Sequence, residues 1–308
     1  MSRDRPAPTR TTTAGFSAAL AATVVWGLGN VIIARTPLNG MAIATYRLWM
    51  GAALYLGVLF ASGRRLPRSA FRIAWLGGVA FSTDICAFFI SVKHTTLADA
   101  TTINALQPVV ILVFAGALFG EKIARRHIVC TAIAIVGIVA VVRGSTATGH
   151  VTFLGEAAAV VSLFCWAWYF IASKQAREHL DTIQYMTVVM IVGAAVVTPF
   201  ALVTGQLTGP SAHVTPVALG WVALIVVLPG SGHLLINWAH AHTTITLSSL
   251  LTLLMPVIST AAGAWWLDQA VNGTQVLGIS IVLVALAIVI AGDTRAAAIE
   301  AEAAADVL

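Results

Sequence analysis

Ten long apolar runs are the feature that most constrains how this chain can fold. A helix that crosses a membrane needs about 20 apolar residues. The runs are continuous and rich in Ala and Leu, whereas the strands of a membrane barrel alternate apolar and polar residues. The sequence therefore predicts an all-α polytopic membrane protein with ten transmembrane helices, near residues 14–34, 39–61, 70–91, 95–119, 126–143, 153–173, 182–204, 215–237, 242–267 and 273–291.

The composition excludes a soluble fold. Of the 308 residues, 59% are hydrophobic and 9% are charged, and the mean hydropathy is +0.92. Soluble domains are about 45–50% apolar and about 25% charged, so a soluble fold of this composition could not cover its surface with polar groups. Cys86, Cys130 and Cys165 lie in separate runs without CxxC spacing, so neither a disulfide nor a zinc site is expected.

The basic residues are distributed unevenly between the loops. With the N-terminus inside, thirteen of the 17 Lys and Arg residues fall on the cytoplasmic side, whereas Arg35, Lys93 and Arg143 fall on the other side. Cytoplasmic loops of membrane proteins are enriched in Lys and Arg, so we expect both termini in the cytoplasm and a location in the inner (plasma) membrane. The net charge of +5 follows from this bias. Nucleic acid is not an expected partner, because no basic face with interleaved aromatic residues is present.

Two segments of the chain resemble each other. Each carries a pair of threonines 13 residues before a proline and a short motif that ends 13 residues after it. Because the repeat unit holds about five helices, an odd number, two copies in one chain have opposite orientations. Inverted repeats around a central site are an architecture of secondary transporters. The matching elements are Thr95-Thr96, Pro108 and Leu118-Phe119-Gly120-Glu121 in the first half, and Thr243-Thr244, Pro256 and Trp266-Leu267-Asp268-Gln269 in the second.

These two segments, together with Trp26-Gly27 and with Arg47 early in the second helix, carry a family resemblance. Over nearly its whole length the chain resembles EamA-type members of the drug/metabolite transporter superfamily. The resemblance implies ten helices in two inverted five-helix halves, and the export or uptake of small metabolites. One departure is Leu267-Asp268-Gln269, where the family usually has Leu-Gly-Glu, so a role for the second acidic motif does not carry over.

The expected domain organisation follows from the repeat. Residues 1–13, with their arginines and prolines, are predicted to be a disordered cytoplasmic tail, and the apolar run after them is too long for a secretory signal. The first EamA-like five-helix repeat is expected over residues 14–143 and the second over residues 153–291. Residues 292–308 are predicted to be a cytoplasmic tail.

Three titratable residues inside the apolar runs are candidates for binding a substrate or a proton. Asp84 marks either a functional site or a helix-packing hydrogen bond, because a carboxylate in hydrocarbon is costly. His233 occupies a near-equivalent place: it lies 23 residues before Pro256, and Asp84 lies 24 residues before Pro108. Both would approach a central cavity and could relay a proton, or His233 is a neutral core histidine. Arg47 either holds a substrate carboxylate, or snorkels to the interface or ties helices together.

Uncharged residues complete the candidate site. Trp26 and Trp166 match each other in the repeat and could line a cavity that binds aromatic or cationic groups. Asn237 and Gln107 add polar groups within the helices. Pro108 and Pro256 interrupt their helices and are either hinge points or static kinks.

The expected function is secondary active transport, with export of small metabolites or amino acids by alternating access. Proton coupling and transport driven by the substrate gradient alone both stay open. Without a nucleotide, protease or hydrolase motif, no enzymatic activity, cofactor or metal is expected. The expected partners are a small-molecule metabolite, protons in the coupled version, and the lipid bilayer; the oligomeric state does not follow from the sequence. The alternative function is that of a non-transporting membrane scaffold or sensor.

Overall fold

The computed structural model describes residues 11–95, 97–144, 152–266 and 271–305. Over these residues the chain is helical and contains no strand, as predicted for an all-α polytopic membrane protein. Three features of the sequence analysis lie outside the described residues: the tail up to residue 10, Thr96, and the Leu267-Asp268-Gln269 motif.

Twelve α-helices and two short 3-10 turns, at Pro210–Ala212 and Thr252–Leu254, make up the described chain. Ten segments are long and apolar enough to cross a membrane. The α-helices are α1 (Thr13–Arg35), α2 (Gly40–Ala61), α3 (Arg68–His94), α4 (Leu97–Asn104), α5 (Gln107–Phe119), α6 (Arg125–Arg143), α7 (Phe153–Ala176), α8 (Thr182–Val203), α9 (Pro216–Ala239), α10 (Ile245–Leu251), α11 (Met255–Trp266) and α12 (Gly273–Ala305).

Polar side chains mark where six of these helices begin. Each side chain accepts a hydrogen bond from a backbone N–H in the first turn. These N–H groups have no carbonyl acceptor within the helix. These capping residues fall directly after the loops that separate the apolar runs, so the chain itself defines the helix starts. They are Thr12, Asn39, Thr152, Asp181, Thr215 and Thr244.

Two of the ten spans are broken in the middle, one in each half. In the first half α4 ends at Asn104 and α5 begins at Gln107, and in the second half a 3-10 turn separates α10 from α11. Pro108 and Pro256 each stand at the second position of the helix that follows the break. A proline is tolerated there because the first N–H groups of a helix have no intrahelical partner.

The helices pack as two inverted halves. The first helix of each half packs against the third helix of the other half: α1 contacts α9, and α7 contacts α3. α2 packs against α8 and α6 against α12, and each of these pairs joins equivalent helices of the two halves. In the α6–α12 pair the backbones touch: a Cβ on Gly137 would lie 2.8 Å from the Gly278 carbonyl oxygen.

The basic loops meet at one end of the bundle, which we call the basic face. Arg64 pairs with Asp181 at 3.0 Å, and Arg126 pairs with Asp293 at 2.6 Å. At the other end, the opposite face, Lys93 donates to the carbonyl oxygen of Thr36 at 2.7 Å. The charge asymmetry of the sequence is therefore an asymmetry between the two ends of the structure.

The last helix continues beyond the predicted membrane span. α12 runs to Ala305 and so includes residues 292–305, where the sequence analysis expects a tail. This segment is rich in alanine, which has the highest intrinsic helix propensity.

Candidate functional site

A cavity lies between the two halves, where α1, α2, α3, α4, α7, α9 and the second broken span meet. Its empty volume, including the part open to solvent, is about 660 Å³. Both halves contribute polar side chains to an otherwise apolar and aromatic wall. The predicted site residues on this wall are Trp26, Arg47, Asp84, Trp166, His233 and Pro256.

Arg47 is a buried charge on α2 with little hydrogen bonding. Its side chain is 2% exposed, and its Nε and Nη1 atoms have no hydrogen-bond partner. The guanidinium carbon lies 5.6 Å from the ring centres of both Phe81 and Phe89, so two aromatic faces supply part of its stabilisation. The side chain therefore neither snorkels to an interface nor ties helices together by hydrogen bonds. It faces the cavity instead.

Asp84 shares one hydroxyl group with a neighbouring amide. The Ser162 hydroxyl lies 2.6 Å from Asp84 Oδ1 and 3.1 Å from Asn104 Oδ1. Asn104 Nδ2 donates to the Ala100 carbonyl oxygen, so its Oδ1 is the atom that faces Ser162. A hydroxyl donates a single hydrogen, so ionised Asp84 and Asn104 compete for it. Both contacts are satisfied together when Asp84 carries a proton and donates to Ser162.

His233 stands on α9 within a cluster of aromatic rings. Its ring centre lies 4.9 Å from that of Trp26 and 4.8 Å from that of Phe81, and its Nδ1 atom has no hydrogen-bond partner. The Trp26 indole packs edge-on against Trp166 and donates to the Pro229 carbonyl oxygen at 3.1 Å. The structure thus places Asp84 and His233 in one cavity, on walls from opposite halves.

A second polar cluster lies nearer the basic face, and we call it the floor cluster: Tyr169, Ser173 and Asn237. Asn237 Nδ2 donates to the Tyr169 hydroxyl at 2.5 Å, and its Oδ1 accepts from the Ser173 hydroxyl. All three side chains are fully buried. Asn237 is one helical turn beyond His233 toward the basic face, so it supports the cavity from below and does not line it.

Gln107 and Pro108 do not line the cavity. Gln107 is fully buried at the start of α5, and neither polar atom of its side chain has a hydrogen-bond partner. Pro256 does line the cavity, beside Met255. The two repeat prolines therefore hold matching places in the chain but different places relative to the cavity.

Glu121 joins the two halves at the basic face. Its Oε1 and Oε2 atoms accept from the backbone N–H groups of Ile245 at 2.7 Å and Thr246 at 3.0 Å, in the first turn of α10. A carboxylate is favourable there because the N-terminus of a helix carries a partial positive charge. Gly120, just before it, ends α5 in the left-handed conformation with φ 64°, which glycine adopts without strain.

His240 lies beside the floor cluster, just after α9. Its Nδ1 atom lies 2.9 Å from the Ser173 hydroxyl, while Nε2 has no partner. Burial, and then the charges of Lys174 and Arg177, hold the pKa of His240 well below its usual value. His240 is therefore neutral near pH 7.

Several site residues were not foreseen as a group. The sequence analysis did not predict that Ser162 bridges Asp84 and Asn104, or that Phe81 and Phe89 flank Arg47. Serine and phenylalanine are common in membrane helices, so no composition signal marks these positions. Across the described part of the chain, no three His, Cys, Asp or Glu side chains come together as a metal site requires.

The sequence profile of the EamA-like transporter family matches this chain twice, over residues 13–143 and 153–291. The chain belongs to the EamA-like transporter family. It is therefore a multi-pass membrane transporter, and its two matches correspond to the two inverted halves.

Named relatives of this EamA-like chain have similar length. A "Probable amino-acid metabolite efflux pump" of Escherichia coli (strain K12) is 25% identical over 292 residues, which cover 89% of this chain and 94% of that protein. A protein of the same name from Salmonella typhimurium is 24% identical over 293 residues, with the same coverage. An "Uncharacterized transporter" of Archaeoglobus fulgidus is 20% identical over 269 residues, covering 87% of this chain and 93% of that protein.

A solved structure shares the EamA-like fold. The chain titled "Crystal structure of protein" superposes with a TM-score of 0.73 and 19% identity, covering 89% of this chain and 97% of that one. At this identity the likeness concerns the fold alone.

Proposed function

We propose that this EamA-like transporter exports small metabolites of the amino-acid class by alternating access. The observation that carries the proposal is the cavity between the halves, in which Arg47 and Asp84 of one half face His233 of the other. Charged side chains inside a membrane bundle are costly, and they mark substrate or ion pathways. The names of the relatives from Escherichia coli and Salmonella typhimurium support both the substrate class and the outward direction.

The floor cluster supports a closed state at the basic face. Trp166 and His233 line the cavity, whereas Tyr169, Ser173 and Asn237 follow them on α7 and α9 toward the basic face. These three side chains are fully buried and hydrogen-bonded to one another on the basic-face side of the cavity. In our proposal alternating access separates them, while the two halves rock against each other.

We take the basic face as cytoplasmic, with both termini on that side of an inner membrane, because of the excess of Lys and Arg there. The two five-helix repeats at 14–143 and 153–291 are then the moving units. Protonation of Asp84, with His233 across the cavity, supplies the coupling in the proton-driven version. Because Ser162 contacts both residues, protonation of Asp84 would change the hydrogen bond between Ser162 and Asn104, which lies at the end of α4 beside the break in the fourth span.

Proteoliposomes containing the purified protein test the function. Vesicles loaded with a mixture of radiolabelled L-amino acids are expected to lose label faster than protein-free vesicles, and an imposed pH gradient changes the rate. Asp84→Asn is expected to remove the response to the gradient. Asp293→Asn, a carboxylate outside the cavity, serves as the matched control and keeps it.

Two results contradict different parts of the proposal. A full response to the gradient in Asp84→Asn excludes this carboxylate as the coupling group. Absence of flux for any amino acid, together with unchanged metabolite accumulation in cells that lack or overexpress the protein, excludes the transport of this class.

A further inference from the structure

Arg47 is the only Lys or Arg residue on the wall of the cavity, as far as the described residues go. No ion pair within 4.0 Å joins it to a described carboxylate. Buried guanidinium groups are normally paired and hydrogen-bonded, because an unpaired buried charge is expensive. The aromatic rings of Phe81 and Phe89 stabilise the charge, but they offer its N–H groups no oxygen or nitrogen acceptor. Arg47 therefore has donor capacity that the protein does not use.

The second half has no equivalent of this group. Arg47 is the eighth residue of α2, and the eighth residue of α8 is Val189, an apolar side chain that is fully buried. The cavity is therefore electrostatically asymmetric although the fold is nearly symmetric. With Asp84 ionised, Arg47 and Asp84 are a single cation and a single carboxylate, and the wall has a formal charge of zero.

From these observations we infer that Arg47 binds the carboxylate group of the transported molecule. The inference rests on the proposed function and names the group that the site requires. A carboxylate accepts two hydrogen bonds from a guanidinium, and the ammonium group of the same molecule has Asp84 as its partner. A zwitterion brings one charge of each sign, which matches the wall of the cavity. A phosphate dianion fits less well, because Arg47 alone would leave one of its negative charges unpaired beside Asp84.

The apolar part of the wall defines where the rest of the molecule lies. Trp26, Trp166, Phe88, Ile33 and Met255 surround the polar groups. A side chain on the bound molecule would contact these residues, whereas its carboxylate and ammonium groups would occupy Arg47 and Asp84. Selection for the carboxylate then does not depend on which apolar side chain the molecule carries.

The wild-type protein in lipid nanodiscs gives the first test. The probes are the common apolar L-amino acids, their α-amides and their decarboxylated amines, and the measurement is equilibrium binding. At least one amino acid is expected to bind 10-fold or more tightly than both its amide and its amine. Equal affinity for acid and amide, or binding of no amino acid, overturns the inference.

Variants then connect the preference to Arg47. Arg47→Gln is expected to reduce the preference for acid over amide at least 10-fold, and Arg47→Lys to restore part of it. Arg35→Gln, an exposed arginine at the end of α1, is the matched control and leaves the preference unchanged. A preference that survives in Arg47→Gln overturns the role of this residue. If Arg47→Gln does not fold, Arg47→Lys and the wild-type comparison still decide the question.

The outcomes separate this inference from the proposed function. Flux of amines or amides through the wild-type protein, without preference for carboxylates, refutes the carboxylate site and leaves transport intact. Absence of flux for acids, amides and amines alike refutes the proposed function itself.

Discussion

Two buried polar clusters, one helical turn apart, differ in how completely their atoms are hydrogen-bonded. In the floor cluster Asn237 contacts the Tyr169 and Ser173 hydroxyls and the His233 carbonyl oxygen. In the cavity, Arg47 Nε and Nη1 and His233 Nδ1 have no partner. Buried polar groups that serve packing are normally satisfied. The contrast therefore separates the floor cluster, which joins α7 to α9, from Arg47 and His233, whose unpartnered atoms belong to residues on the cavity wall.

The largest effect on stability is expected at Asn237. Asn237→Ala removes the amide that joins α7 to α9, so the buried Tyr169 and Ser173 hydroxyls lose their hydrogen bonds to it. We expect the free energy of unfolding to fall by about 2–4 kcal/mol. Unfolding in detergent measures the change. Asn30→Ala is the comparison, because the side chain of Asn30 donates only to the Ser259 hydroxyl at 3.1 Å. If both variants lose the same stability, the floor cluster is not the stronger contact.

At Arg47 a substitution is expected to increase the stability of the protein. Arg47→Met removes a buried charge whose Nε and Nη1 atoms are unpartnered, and the flexible methionine can fill its place, so the protein gains about 1–3 kcal/mol of stability. The same unfolding measurement applies, together with loss of amino-acid binding. A variant that is less stable than the wild type would show that Arg47 has a structural role after all.

A smaller effect is expected at Glu121, which connects the halves at the basic face. Glu121→Gln removes the charge from the cap of α10 and lowers stability by about 1–2 kcal/mol, because the interaction is buried. Glu156→Gln is the matched control: Glu156 also lies in the first helical turn, of α7, but is exposed. Its loss is expected to stay below about 0.5 kcal/mol. Equal effects would contradict the role of the buried cap.

The smallest effect is a pH dependence at His240. Because burial lowers the pKa of His240 in the folded protein, protonation favours the unfolded chain. Stability therefore falls as the pH drops below the unfolded pKa of about 6.5, by at most about 1.4 kcal/mol per pH unit. His240→Asn should reduce this slope between pH 6.5 and 5.5, and His213→Asn, an exposed histidine, should not. An unchanged slope in His240→Asn would assign the pH dependence to other groups.

Much of the fold could be predicted from the sequence, because the pattern of apolar runs is a local property. The ten spans, the breaks before Pro108 and Pro256 and the inverted order of the halves all follow from run length and repeat spacing. Asp84 and His233 hold near-equivalent places in the repeat, and both line the cavity.

The partners of the site residues could not be predicted in the same way. Ser162 and Asp84 are 78 residues apart, and their contact depends on how α3 and α7 pack. Asn237 and Gln107 were expected among the binding residues, yet Asn237 lies one helical turn below the cavity and Gln107 is buried at the start of α5, away from the cavity wall. The absence of a hydrogen-bond partner for Arg47 Nε and Nη1 is likewise a property of the packed bundle, which no spacing of residues reveals.

The contact between Gly137 and Gly278 limits how the two halves can move. Where two backbones touch, no side chain can change its rotamer to let one helix slide past the other. A Cβ on Gly278 would lie 2.5 Å from the Gly137 carbonyl oxygen, so even a methyl group would separate the helices. In the alternating access that we propose, the α6–α12 pair would therefore act as a pivot, about which the halves tilt without shearing along it.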